Sequence, residues 1–79
     1  MKYRIEMAPL AGRWIVALKD PDTGALVKTM KVNAMAAEMM QGLSSGLSPE
    51  DLADSISRKY GVSREIVSRD LEPIRNMIE

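Results

Sequence analysis

A chain of 79 residues with no cysteine, no histidine and eleven basic side chains against eleven acidic ones is one small domain. Disulfides and the usual zinc sites are excluded, and a net charge of zero argues against nucleic-acid or membrane-surface binding, both of which draw on a basic excess. No apolar run approaches the ~20 residues of a membrane span, and no signal peptide follows the charges at Lys2, Arg4 and Glu6, so a soluble cytoplasmic protein is expected.

The first third reads as sheet. Tyr3, Ile5 and Met7 alternate with Arg4 and Glu6, the period of a half-buried strand, and Pro9 is expected to end it before Ala11–Gly12 turn the chain. A second strand spans Arg13–Lys19, with Trp14, Val16 and Leu18 on one side and Ile15 and Ala17 on the other. Trp14 is expected to be a core anchor. Asp20–Pro21–Asp22–Thr23–Gly24 is a strong turn, because proline presets φ and glycine accepts a positive one. A third strand, Ala25–Val32, then completes a hairpin with the second, and Leu26, Met30 and Val32 share a face.

The remainder reads as helix. Asn33 caps a first helix in which Ala36, Met40 and Leu43 recur at helical spacing, until Gly42 and Ser44–Ser45–Gly46 break the pattern. Ser48–Pro49–Glu50–Asp51 is a clear start signal: a cap, proline at the first helical position, and two acids against the positive helix end. Leu52, Ile56 and Tyr60 give this second helix its buried face, and Gly61 closes it. Ser63 caps a third helix whose stripe is Val67, Leu71, Ile74 and Ile78. Pro73 lacks an N–H and crowds the carbonyl four residues back, so a kink or early end is expected there.

Catalytic chemistry finds little to work with. The side chains that most often titrate near neutrality are missing, and the serines have no histidine to serve as base. Asp51 and Asp54 lie three apart on one helix face, but acids in a first turn are accounted for by the helix dipole. Gly42–Ser45 and Gly46 lack the lysine of a phosphate loop. No catalytic residue, metal ligand or cofactor is assigned, and the chain is read as a non-enzyme. The methionines, Met35, Met39 and Met40 among them, are read as core filler.

Gly61–Leu71 also looks like the recognition helix of bacterial repressors with a β-wing. Against that reading, Ala53 precedes Gly61 by eight positions where the common motif has a small residue at four. Moreover Arg64, Arg69 and Arg75 are offset by Glu65, Asp70, Glu72 and Glu79. A winged-helix DNA-binding regulator stays open as the alternative, as does a structural subunit of a larger complex.

Ala11–Gly12–Arg13–Trp14–Ile15–Val16, Val32–Asn33 leading into Ala36–Ala37–Glu38–Met39–Met40, Gly46–Leu52, Tyr60–Gly61–Val62, and Asp70–Leu71 before Ile74 and Ile78 resemble, in order and spacing, the PqqD family. These small proteins are named for pyrroloquinoline-quinone (PQQ) biosynthesis, and belong to the recognition elements of pathways that modify ribosomally made peptides. The resemblance covers nearly the whole chain. It implies one α+β domain over residues 1–79, winged-helix-like, with a three-stranded antiparallel sheet followed by three helices. It also implies a peptide chaperone that binds the leader of a precursor peptide and presents it to a modifying enzyme, often a radical S-adenosylmethionine (radical SAM) enzyme. The leader would add as a strand beside the third strand, against the third helix.

The residues suit that role independently. A third strand with no fourth to follow leaves an edge of unpaired backbone groups, which Lys28 and Lys31 could guard or offer to a partner. The expected peptide contacts are Val27, Lys28, Thr29 and Met30 on the edge, Val67, Leu71 and Ile74 on the groove floor, and Arg64 and Arg75 at its rim. Asp70 matches a position that the family tends to keep acidic, or else pairs with Arg69 or Arg75. Without peptide, the same edge leaves room for a homodimer.

Overall fold

The computed structural model describes residues 3–78; Lys2 and Glu79, whose charges entered the sequence reading, lie outside the described residues, as does Met1. Three strands, β1 (Arg4–Leu10), β2 (Arg13–Lys19) and β3 (Leu26–Val32), precede three helices, α1 (Ala34–Ser44), α2 (Pro49–Tyr60) and α3 (Arg64–Ile78). The sheet is an antiparallel meander in the order β1-β2-β3. This is the expected α+β arrangement. No helix among the described residues is long and apolar enough to cross a membrane.

The β1–β2 turn is two residues, with Ala11 at φ 51° and Gly12 at φ 77°. Two positive φ values define the tight hairpin turn that matches strand twist, for which Asn-Gly is the preferred pair. Alanine at Ala11 carries a Cβ penalty there that asparagine largely avoids. Ala11→Asn should therefore stabilise the domain by about 1 kcal/mol, raising its thermal midpoint by roughly 4–8 °C in a melting experiment.

The β2–β3 connection is organised by Asp20. Its Oδ1 accepts the N–H groups of Asp22 at 2.8 Å and Thr23 at 3.0 Å, while Gly24 turns at φ 75°. The N–H groups of Thr23 and Asp22 hold the Asp20 carboxyl below the usual carboxylate range. Because the folded value is the lower one, this stabilisation is complete above the unfolded value of about 4. It is lost as pH falls through the depressed value. The stability gap between wild type and Asp20→Asn should accordingly be open at pH 7 and narrow in acid, as denaturant titrations at the two pH values would show.

Side chains paired across the ladder share a face. The helix-facing side of the sheet carries Met7, Val16 and Met30 in one row, Ile5, Leu18 and Lys28 in another, and Pro9, Trp14 and Val32 in a third. Val16 and Leu18 are buried with Met39, Met40, Leu43, Leu52, Ala53, Ile56, Val67, Leu71 and Ile78. Met7, Met30, Met35 and Met77 pack against this core, so the methionines fill it as expected. Trp14 departs from expectation: it lies on the inner face at the end of β2, only partly buried and apart from the core cluster.

The helix caps form as read. Asn33 Oδ1 accepts from Ala36 N–H at 2.8 Å, Ser48 Oγ from Asp51 N–H at 3.1 Å and Ser63 Oγ from Ile66 N–H at 3.2 Å. Gly61 closes α2 at φ 68°. Three expectations fail, and of the two outcomes expected at Pro73 the early end does not occur. Pro9 does not end β1 but pairs with Trp14 within it, tolerated because an edge strand can spare an N–H. Gly42 does not break α1; it is buried inside it, and a Cβ there would stand 2.5 Å from Leu52 Cδ2, so its role is to let α2 approach. Tyr60 is 36% exposed, its place on the buried face of α2 being taken by Ala53. Pro73 does not terminate α3, which continues to Ile78; it is exposed, where a lost N–H costs least.

Candidate functional site

The outer edge of β3 is free. Among the described residues its one strand partner is β2, and α1 packs mainly against β1 and β2. Leu26 and Val27 are 60% and 54% exposed, and Lys28, Thr29 and Lys31 are exposed as well. The ladder slips between Leu18/Lys19, where Val27 has no partner on β2. Such a bulge bends the strand and re-aims the side chains beside it. The register separates the edge residues that sequence grouped together. Lys28 and Met30 lie on the helix-facing side, opposite Leu18 and Val16, whereas Thr29 lies on the outer side opposite Ala17.

β1 is an edge as well, which sequence reasoning passed over. The two edges are not equivalent. Pro9 deprives β1 of a backbone donor, while every residue of β3 from Leu26 to Val32 retains its N–H. An extended segment seeking a continuous ladder finds it on β3.

The α3 residues divide into separate groups. Val67 and Leu71 are 0% and 1% exposed and close the protein's own core, leaving Ile74 as the partly exposed member of the stripe named with them. Arg64 and Arg75, three turns apart, share one flank. There they line a hollow of about 180 Å³ with Ser68, Glu72 and the start of α2 at Pro49 and Glu50. Asp70 lies about 120° round the helix from Arg64, on the flank turned away from α2. It is exposed, and none of the ion pairs among the described residues involves it, so pairing with Arg69 or Arg75 does not occur. The carboxylate of Asp54 is taken by Arg58 one turn on, which leaves Asp51 without the paired acid considered from sequence.

Asp70 belongs to a second stripe that sequence reasoning missed: Ile66, Asp70, Pro73 and Met77, spaced four, three and four apart. Ile66 is 44% exposed, Pro73 is exposed and Met77 is half-buried against the core. The clue was available, since this spacing marks one helix face. The neighbouring stripe of Val67, Leu71, Ile74 and Ile78 is more apolar and masks it.

A meander with an edge strand that has no strand partner on its outer side among the described residues, in a domain whose α3 exposes Ile66 and Pro73, can take up an extended segment as an additional strand. The chain is similar in structure to TbiB1 in complex with the TbiA(beta) leader peptide, with a TM-score of 0.64 and 26% identity over 99% of this chain and 87% of that one. No family model matches the sequence, and no curated protein matches it.

Proposed function

We propose that the domain is a non-catalytic adaptor for the leader of a ribosomally made precursor peptide, of the PqqD-like class of recognition elements, and that it presents this leader to a modifying enzyme such as a radical SAM enzyme. The observation that carries the reading is the free backbone edge of β3, in a fold similar to that of a protein solved with a leader peptide. Strand addition takes its affinity from main-chain hydrogen bonds and its specificity from alternate side chains.

In this reading the leader pairs with Leu26–Val32 as a fourth strand. Its helix-facing side chains meet Lys28, Met30, Ile74 and the Ile66–Asp70–Pro73–Met77 stripe. Those pointing the other way lie beside Thr29 and Lys31. Asp70, with no ion-pair partner among the described residues, accepts a hydrogen bond or a cation from the peptide. Val67 and Leu71 support the groove from beneath, and Arg64 and Arg75 sit beyond it.

The DNA-regulator reading has no observation in its favour: the arginines of α3 are interleaved with Glu65, Asp70 and Glu72, which repel phosphate. The test is fluorescence anisotropy with labelled synthetic leader peptides of candidate precursors. Saturable binding by the leader, with none by a scrambled peptide or random duplex DNA at low salt, supports the adaptor. Binding of the duplex alone supports the regulator.

A further inference from the structure

The outer face of the sheet gathers charge that is scattered in sequence. Through the register, Leu10 stands opposite Arg13; Ala8, Ile15 and Lys31 form the next row; Glu6, Ala17 and Thr29 the next; and Arg4, Lys19 and Leu26 the last. The face therefore presents Arg4, Arg13, Lys19 and Lys31 against the single acid Glu6, whose carboxylate is held by Lys19. The helices carry the opposite balance, Arg58, Lys59, Arg64, Arg69 and Arg75 against Glu38, Glu50, Asp51, Asp54, Glu65, Asp70 and Glu72. With Lys28 and the β2–β3 turn acids Asp20 and Asp22 counted, the sheet layer is modestly basic and the helical layer modestly acidic.

The two middle rows of this face carry the apolar Ala8, Ile15 and Ala17, flanked by Glu6, Thr29 and Lys31, while Arg13 stands at one end and Arg4 and Lys19 at the other. At one end Leu10, 57% exposed, lines a shallow hollow of about 230 Å³ with Ala11, Arg13 and Lys31. An apolar centre with a charged rim is the anatomy of a protein interface. Nucleic acid is a poorer fit. The two basic ends are about 20 Å apart along the strands, with no aromatic side chain between them to stack on a base.

We infer that this face docks an acidic surface of the enzyme that acts on the bound peptide. The inference rests on the peptide reading above, and the reason for that occupant is continuity of the sheet. A strand added to β3 extends the same face, so every second side chain of the leader stands in line with Thr29 and Lys31. A protein seated here touches carrier and cargo together, and so distinguishes the loaded domain from the empty one. Three strands of seven residues offer roughly 300 Å² of face by strand spacing. A stable interface takes about 800 Å² from each partner. The contact is accordingly transient and strengthened by the fourth strand, as a delivery step requires.

The test uses the intact domain, a leader peptide that binds it and the purified enzyme that modifies that peptide's precursor. Arg4 and Arg13 are exposed and lie on β1 and β2, away from the β3 edge. The double variant Arg4→Glu/Arg13→Glu should keep leader affinity within about twofold, yet bind the enzyme at least about tenfold more weakly. Arg4→Lys/Arg13→Lys should behave as wild type. Wild-type binding to the enzyme should weaken with added salt and tighten when leader is present. The inference is overturned if the charge-reversed variant binds the enzyme as wild type does, if the enzyme does not bind the loaded domain at low salt, or if single-stranded or duplex nucleic acid occupies this face instead. Failure of the leader to bind while the enzyme still does would instead remove the peptide reading and leave the docking face standing.

Discussion

Leu71→Ala is expected to cost about 2–5 kcal/mol, and to lower the thermal midpoint by on the order of 10–40 °C. Leu71 is 1% exposed and sits where α3 meets the shared core, among Met39, Ile56, Val67 and Ile78. Removing its branched end leaves a cavity that surrounding side chains, themselves closely packed, fill only in part. A domain of this size has about 4–12 kcal/mol of stability in all, so the loss is a large share of it. Denaturant unfolding measures it directly. A fall below about 1 kcal/mol would mean that Leu71 faces a ligand rather than the core.

Ile66→Asp should do the reverse. Ile66 is 44% exposed, and its neighbour one turn on, Asp70, has no ion-pair partner among the described residues. The free domain loses little packing, and a like-charged pair at that spacing costs only a few tenths of a kcal/mol. Stability should therefore change by less than about 1 kcal/mol. Peptide binding should suffer far more. The leader loses an apolar contact worth about 1 kcal/mol, near half of full burial for isoleucine. A carboxylate must then be desolvated beside a second one. At least about tenfold weaker leader binding is expected, read by anisotropy on a variant that melts near wild type. Unchanged affinity would remove the second stripe of α3 from the groove.

Those two residues also mark where sequence stops being sufficient. Local chemistry was legible: the caps Asn33, Ser48 and Ser63, the turn at Asp20–Gly24 and the stop at Gly61 each act within a few residues, and each forms. What misled were residues whose role is set by a neighbour distant in sequence. Gly42 looked like a breaker because nothing nearby announces that Leu52 will press against it. Pro9 and Pro73 looked like stops because proline is a stop only where the missing N–H is needed, and neither the outer edge of β1 nor the exposed side of α3 needs it.

The candidate site was legible to a similar depth. A free third-strand edge follows from element order alone. Which side chains flank it does not, because that depends on helix rotation and ladder register. One apolar stripe on α3 was identified and expected to floor the groove while also closing the core; Val67 and Leu71 are buried in that core, and the adjacent stripe carries Ile66, which is exposed. The basic face was hidden for the same reason. Arg4, Arg13, Lys19 and Lys31 are far apart in the chain and converge only through the pairing of three strands.

The vacant rim of the meander is what a guest segment would need, and amide hydrogen exchange followed by NMR, with and without the leader, probes it residue by residue. Slowed exchange and shifted amides confined to Leu26–Val32 and the Ile66–Met77 side of α3 are the predicted result. Protection appearing along Arg4–Leu10 instead, or only around Arg64 and Arg75, would contradict it.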